Sequence, residues 1–198
     1  LGVQFDQYGE LRLGIQGGSN GGLLTGVTMT QRPDLFGAVI VAVPLLDMMR
    51  YHTMLAGASW MGEYGDPEKA DERAWISRYS PYQNVRKGVK YPEAFVYTST
   101  KDDRVHPSHA RKFVAKLESQ GHKVMYYENM EGGHSAAANL KQRAEVTALQ
   151  VVIEEIHGLL PMVGTGRRLG VIVDLLIHMQ VEPEGNAVGH TRFRGGDG

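Results

Sequence analysis

Short apolar runs alternate with stretches of helical period along this chain, and glycine or proline marks nearly every change between them. Leu11, Leu13 and Ile15 alternate with polar or glycine positions, the two-residue period of a strand. They run into Gly14 to Gly22, which reads Gly-Ile-Gln-Gly-Gly-Ser-Asn-Gly-Gly, and a helix is predicted from Leu23 to Thr30. That helix continues through Gln31 until Pro33 stops it, since proline lacks the N–H and clashes with the preceding turn. Phe36 to Val43 is a nearly continuous apolar, β-branched run, which predicts a strand covered on both faces, and Pro44 ends it. Leu45 to Trp60 mixes Met48, Met49, Tyr51, Met54 and Leu55 with polar positions and reads as short helices that line something. Tyr64-Gly65-Asp66-Pro67 predicts a turn, Glu68 to Ile76 a charged amphipathic helix, and Ser80-Pro81-Tyr82 and Lys87-Gly88 loops. A strand follows Pro92, from Ala94 to Thr98. Pro107 and Ser108 then open a helix through Ala110, Phe113, Val114 and Leu117, which Gly121 closes. Val124 to Tyr127 is a short strand, followed by the loop Glu131-Gly132-Gly133-His134-Ser135. Leu149, Val152, Ile153 and Ile156 recur at helical spacing in a long helix stopped by Gly158 and Pro161. Leu1 to Glu10 has no clear pattern; Phe5, Tyr8 and the break at Gly9 read as the end of a helix.

Strands alternating with helices imply an α/β fold, a mainly parallel sheet with helices on both faces. The length of 198 residues suffices for one domain with a sizeable core, and 42% hydrophobic with 22% charged residues fits a soluble globular protein. A net charge of -1 gives no reason to expect nucleic acid or an anionic membrane as partner. No apolar run is long enough to span a bilayer. The absence of cysteine excludes a disulfide framework and a thiolate metal site. From Pro161 the character changes: Val171 to Ile177 is one apolar run, a strand or short helix, and Glu182 to Gly198, rich in glycine and arginine, reads as disordered. Residues 1–160 are therefore taken as the folded domain and 161–198 as a tail without an assigned role. A start at Leu1 rather than methionine suggests a fragment. The cytoplasm is the expected compartment, with the periplasm and secretion left open.

Within the glycine cluster, Gly17-Gly18-Ser19-Asn20-Gly21 fits G-x-S-x-G between a strand and a helix. A sharp turn there holds its central residue in a strained conformation, and small neighbours let strand end and helix start approach. The hydroxyl of Ser19 is then lifted above the sheet edge, at a helix N-terminus that favours negative charge. A phosphate cradle is the competing reading, but it ends in Gly-Lys-Ser/Thr, whereas Gly21-Gly22 is followed by Leu23-Leu24. An acidic pair, Asp102-Asp103, follows a later strand and His134 the last one. The order Ser, Asp, His is that of the hydrolytic triad of an α/β-hydrolase, with all three at the sheet edge where sites of open α/β sheets lie. His134 would take the proton of Ser19, one aspartate would orient the imidazole, and the backbone N–H of Asn20 would supply an oxyanion donor. Separately, each has a plainer reading: a glycine loop, a surface histidine, a turn or cap at Asp102-Asp103. Their joint occurrence favours the triad. His106 and His109 lie three apart but lack an H-E-x-x-H arrangement, so they read as a solvated helix face; His52 and His122 look ordinary. No metal and no cofactor are expected.

With these residues in hand, the chain resembles the prolyl oligopeptidase family of serine peptidases from about Leu11 to Leu160. The resemblance rests on Gly17-Gly-Ser-Asn-Gly-Gly-Leu-Leu24, Gln31-Arg-Pro-Asp-Leu-Phe-Gly37, Asp102-Asp-Arg-Val105 and Gly132-Gly-His134. It implies Ser19 as nucleophile and His134 as base, and it selects Asp102 over Asp103, a choice that physics alone leaves open. It implies that Arg104 binds a substrate backbone carbonyl, a role suited to a permanently charged fork of donors. Trp60, in Ser59-Trp60-Met61-Gly62-Glu63-Tyr64-Gly65, matches the tryptophan that stacks on the substrate's proline, with Tyr64, Leu45 and Val105 as further walls. Core packing is the alternative for Trp60 and Tyr64. Family members are much longer, with a β-propeller and several sheet strands ahead of the serine. The resemblance thus implies an α/β-hydrolase sheet lacking its N-terminal strands, with those strands and the propeller expected in the full-length protein. The expected activity is hydrolysis of short peptides after proline through an acyl-enzyme. An esterase or acylaminoacyl-type peptidase on the same scaffold, or a catalytically inert fragment, are the alternatives.

Overall fold

A computed structural model describes residues 3–5 and 11–156. Five strands form one sheet in sequential order: β1 (Val3–Phe5), β2 (Leu11–Gly18), β3 (Ala38–Ala42), β4 (Glu93–Ser99) and β5 (Val124–Asn129). β1 pairs antiparallel with β2, and the other three pairings are parallel. The helix end expected within Leu1 to Glu10 is instead β1, a strand too short to display a period and stabilised by its pairing, Val3 opposite Leu13 and Phe5 opposite Leu11.

Parallel strands need long crossovers, and helices supply them here. α1 (Asn20–Gln31) links β2 to β3, and α5 (Ser108–Ser119) links β4 to β5. Between β3 and β4 the chain makes two 3-10 turns, Tyr51–Thr53 and Leu55–Trp60, then α2 (Met61–Tyr64), α3 (Ala70–Tyr79) and α4 (Pro81–Asn84). α4 corrects the loop expected at Ser80-Pro81-Tyr82: proline sits at its first helical position, where the missing N–H costs nothing. The predicted helix at Glu68 to Ile76 is α3, displaced toward the C-terminus, with Asp71 and Glu72 in its first turn and Arg78 in its last, as the helix dipole favours. α6 (Leu140–Ile156) follows β5. The Gly158 and Pro161 stop, the run Val171 to Ile177 and the stretch Glu182 to Gly198 lie outside the described residues.

Alternate residues of β3 and β4 enter different cores, which explains why these strands are apolar throughout. Val39, Val41, Ala94 and Val96 pack with Met29 of α1 and Ala110, Phe113, Val114 and Leu117 of α5. Ala38, Ile40, Ala42, Phe95 and Tyr97 pack on the other face with Ala136, Val146 and Leu149. A third cluster joins the start of α1 to the segment after β3: Leu23, Leu45, Met48, Tyr51, Ile76 and Val105 are buried, with Trp60, Met61, Tyr64 and Tyr79 against them. Parallel register brings the carboxyl ends of β2 to β5 to one edge, Gly18 beside Ala42, Ala42 beside Tyr97, and Ser99 beside Asn129. Among the described residues no helix is long and apolar enough to cross a membrane.

Candidate active site

Each predicted chemical residue follows a different strand at that edge. Ser19 comes directly after β2, at φ 57° and ψ -118°, a region that non-glycine residues rarely occupy. Its N–H donates to the Ala42 carbonyl (2.9 Å), and its carbonyl accepts the Leu23 N–H (3.1 Å), so the turn is tied to β3 on one side and to α1 on the other. The tightness of this turn dictates the glycines. A Cβ on Gly17 would lie 2.1 Å from the Gly21 carbonyl oxygen, and one on Gly22 would lie 2.8 Å from Pro44 Cβ and 2.9 Å from the Ala42 oxygen. The Ser19 N–H is thus already engaged. The Asn20 N–H opens α1 and has no intrahelical acceptor, which leaves it available for a developing negative charge.

The imidazole of His134 bridges the other two positions. Its Nε2 lies 3.0 Å from Ser19 Oγ, and its Nδ1 lies 2.8 Å and 3.0 Å from the two carboxylate oxygens of Asp102. An ionised carboxylate only accepts, so Nδ1 carries the proton and Nε2 presents its lone pair to the serine hydroxyl. Asp102 has a fully buried side chain, whose Oδ1 also accepts the N–H groups of Arg104 and Val105, both at 2.9 Å. Asp103 is exposed. Geometry thus separates two acids that the residues alone could not.

Of the predicted substrate residues, Leu45 and Val105 are buried in the third cluster, and Trp60 and Tyr64 are partly buried against it. That cluster includes Leu23, four residues beyond Ser19. Tyr64 also donates its hydroxyl to Asn20 Oδ1 (2.8 Å), joining the aromatic wall to the serine turn. Burial and the nearby Glu63 charge push the Tyr64 phenol up to about 12, so it remains a neutral donor across ordinary pH. Arg104 is exposed on the same loop as Asp102, and its carbonyl accepts the Ala56 N–H (3.4 Å) near the turn that leads to Trp60. Among the described residues, no three His, Asp or Glu side chains are grouped to hold a metal ion.

Another sequence reading is overturned. His109 is not on a solvated face but 1% exposed, and its Nδ1 accepts the backbone N–H groups of Leu46 (3.2 Å) and Asp47 (3.0 Å). Its spacing to Phe113 and Leu117, which share the buried side of α5, was the signal available. The fully buried Asp47 carboxylate is paired with Lys112 and with Arg50 (2.9 Å), and accepts from Gln83 (2.7 Å). Burial alone would raise its pKa, but these donors and charges outweigh it and hold the carboxyl below the usual range. This network fixes the segment after β3 that carries Leu45. Asn129 ends β5 with its side chain buried, and nothing in its local sequence sets it apart.

The sequence matches the prolyl oligopeptidase family over residues 3–154. It is 59% identical over 140 residues to an uncharacterized peptidase of Sinorhizobium fredii, covering 71% of this chain and 19% of that protein. It is 41% identical over 134 residues to a prolyl endopeptidase of Elizabethkingia miricola, covering 66% of this chain and 19% of that one. Among solved structures, it resembles a chain from a structural and mechanistic study of two prolyl endopeptidases, with a TM-score of 0.71 and 41% identity over 75% of this chain and 22% of that one. A post-proline cleaving enzyme from Rickettsia typhi gives a TM-score of 0.65 and 47% identity over 67% of this chain and 19% of that chain. The chain therefore spans about a fifth of the length of these relatives. With an α/β sheet, an elbow serine and a match running through nearly all the described residues, the chain belongs to the prolyl oligopeptidase family of serine peptidases.

Proposed function

We propose that this chain carries the catalytic residues of a serine peptidase that hydrolyses short peptides on the carboxyl side of proline. The observation that carries the reading is the hydrogen-bonded series Asp102–His134–Ser19, with its separations of 2.8 Å and 3.0 Å. Ser19 Oγ attacks the scissile carbonyl carbon while His134 Nε2 takes the hydroxyl proton. The carbonyl oxygen becomes an oxyanion near the Asn20 N–H, and such a donor contributes about 10²–10³ in rate. Collapse of this intermediate breaks the C–N bond. His134 returns the proton to the leaving amine and leaves an acyl ester on Ser19. Water, deprotonated by the same imidazole, attacks the ester, and the alkoxide of Ser19 regains a proton as the acid departs. Asp102 stays ionised throughout and stabilises the imidazolium.

Specificity for proline is supported by the relatives' names and by the partly buried rings of Trp60 and Tyr64 beside Leu45 and Val105. Trp60 would stack on the proline ring and Arg104 would hold a substrate carbonyl. The test uses the protein as its gene encodes it in full. A fluorophosphonate probe is expected to label Ser19, and a folded protein that resists labelling overturns the reading. Hydrolysis of a Gly-Pro amide and of a short-chain ester is then compared before and after Trp60→Ala. Loss confined to the proline substrate supports stacking, whereas equal loss on both, or none, removes that part.

A further inference from the structure

β5 ends in a side chain whose hydrogen-bonding capacity is entirely committed to one loop and its anchor. Asn129 is 4% exposed. Its Oδ1 accepts the N–H groups of Glu131 (2.9 Å) and Gly132 (3.2 Å), and its Nδ2 donates to the Ala136 carbonyl (3.0 Å) and to Gln142 Oε1 (2.9 Å). An amide side chain offers two acceptor sites and two donor hydrogens, so all four are used. The bonds fall on both sides of His134, two residues before it at Gly132 and two after it at Ala136. The arms they draw together are tightly closed. A Cβ on Gly132 would sit 2.7 Å from the Ala136 carbonyl carbon, and Ala136 itself stands at φ 59°. A non-glycine residue persists in that region only when its surroundings over-determine it. Gln142 extends the clamp into α6, since its Oε1 also accepts the Ala138 N–H (2.6 Å) and its N–H donates to Asn139 Oδ1 (3.0 Å). On the other side, the Asn129 carbonyl accepts the Thr100 N–H (2.8 Å), on the segment leading to Asp102.

We propose that Asn129 is a positioning residue for His134: one amide clamps both arms of the loop so that Nε2 stays within reach of Ser19 Oγ. The inference rests on the proposed role of His134 and concerns a residue that touches neither substrate nor reacting atoms. Releasing the clamp leaves the imidazole attached but free to wander, and a misplacement of about 1 Å at a reacting group costs about 10²-fold in rate. The loss falls on kcat rather than KM, because the substrate walls at Trp60, Tyr64 and Leu45 belong to a different segment.

The experiment measures kcat and KM on a proline-containing peptide amide, per active site titrated with a fluorophosphonate, in the protein as encoded in full. Asn129→Ala is expected to lower kcat about 10²-fold, with KM within about twofold, and to slow labelling of Ser19 in parallel. A purely structural role would reduce the number of titratable sites and leave the rate per site unchanged, which would overturn the proposal. Should Asn129→Ala fail to fold, Asn129→Asp serves. It keeps the two acceptor bonds to Glu131 and Gly132 and loses both donor bonds, to Ala136 and to Gln142, so an intermediate fall in kcat per site is expected, and a wild-type value refutes the clamp. Wild-type protein that is folded yet unlabelled would instead sink the reading of Ser19 and His134, an outcome distinct from a labelled wild type whose Asn129 variants react normally.

Discussion

Acid should loosen the segment after β3 through a single buried imidazole. His109 accepts two backbone N–H groups on Nδ1, so protonating that nitrogen leaves the Leu46 and Asp47 amides without their acceptor. Burial depresses its pKa from 6.5 to about 4, opposed by the Asp47 carboxylate and reinforced by Lys112 and His106, the other charged or titratable groups that act on it. Below pH 6.5 the unfolded chain binds a proton at this position that the folded chain refuses until about pH 4. Stability from this group is therefore complete above pH 6.5, falls as pH drops, and levels out near 4. At 1.36 kcal/mol per pH unit, that gap is worth roughly 3 kcal/mol in full. At pH 4.5 it is worth roughly 2.5 kcal/mol, or about 10²-fold in the population of openings that expose the imidazole. Asp47, its carboxyl held below the ordinary 3.8, loses its own contribution only as pH falls through that value, below the range compared, and the control keeps the same carboxylate. The assay is native-state hydrogen exchange on peptides covering residues 38–50, at pH 7 and pH 4.5, corrected for intrinsic exchange. His109→Asn is the control, because its amide oxygen takes the place of Nδ1 as an acceptor that does not titrate. Wild-type protein should lose about 10²-fold more protection between the two pH values than the variant does. Equal losses in both would refute the reasoning.

Two further pairs of substitutions test the serine turn. Ser19→Gly and Ser19→Ala should both abolish fluorophosphonate labelling, but the glycine variant should be the more stable by about 1 kcal/mol. Relief of a strained φ is worth about 1–3 kcal/mol, against about 0.4–1 kcal/mol for the freer unfolded chain, and an alanine variant with the higher denaturation midpoint would contradict the strain. Gly22→Ala should destabilise by about 1–3 kcal/mol, because its Cβ meets Pro44 and the Ala42 carbonyl. Gly21→Ala, whose Cβ meets nothing within 4 Å, should hold or raise stability, and comparable losses at the two positions in a thermal melt would argue against the packing described.

How much of this was legible depended on whether the deciding interaction was local. The elbow was readable because its needs are met by neighbours in sequence: glycines at 17 and 22, a strand before and a helix after. The doubly buried sheet was readable in β3 and β4, whose apolar runs admit no solvated face. Asp102 and Asp103 are adjacent and chemically identical, and only the fold decides which carboxylate is buried beneath the Arg104 and Val105 amides. β1 was misread because three residues show no period and exist as a strand only through Leu11 to Leu13. At His109 a polar side chain suggests a solvated face, while its phase with Phe113 and Leu117 sets it on the buried side of the helix.

A deeper reason separates what was read from what was not. Among the described residues, the non-glycine positions with positive φ are Ser19, Val43, Leu55 and Ala136. Ser19 and Val43 directly follow β2 and β3 at the carboxyl edge, Leu55 opens the 3-10 turn ending at Trp60, and Ala136 closes the His134 loop. Strain is thus concentrated around the candidate site, as expected where an arrangement must be held against local preference. Sequence rules look for glycine or asparagine at such positions, and valine, leucine and alanine send the opposite signal. Only at Ser19 did flanking glycines betray the strain. At Val43 and Ala136 it is sustained by the Tyr97 carbonyl accepting the Val43 N–H and by Asn129 holding the Ala136 carbonyl, so the parts of the site that rest on tertiary restraint are those that no local pattern could disclose.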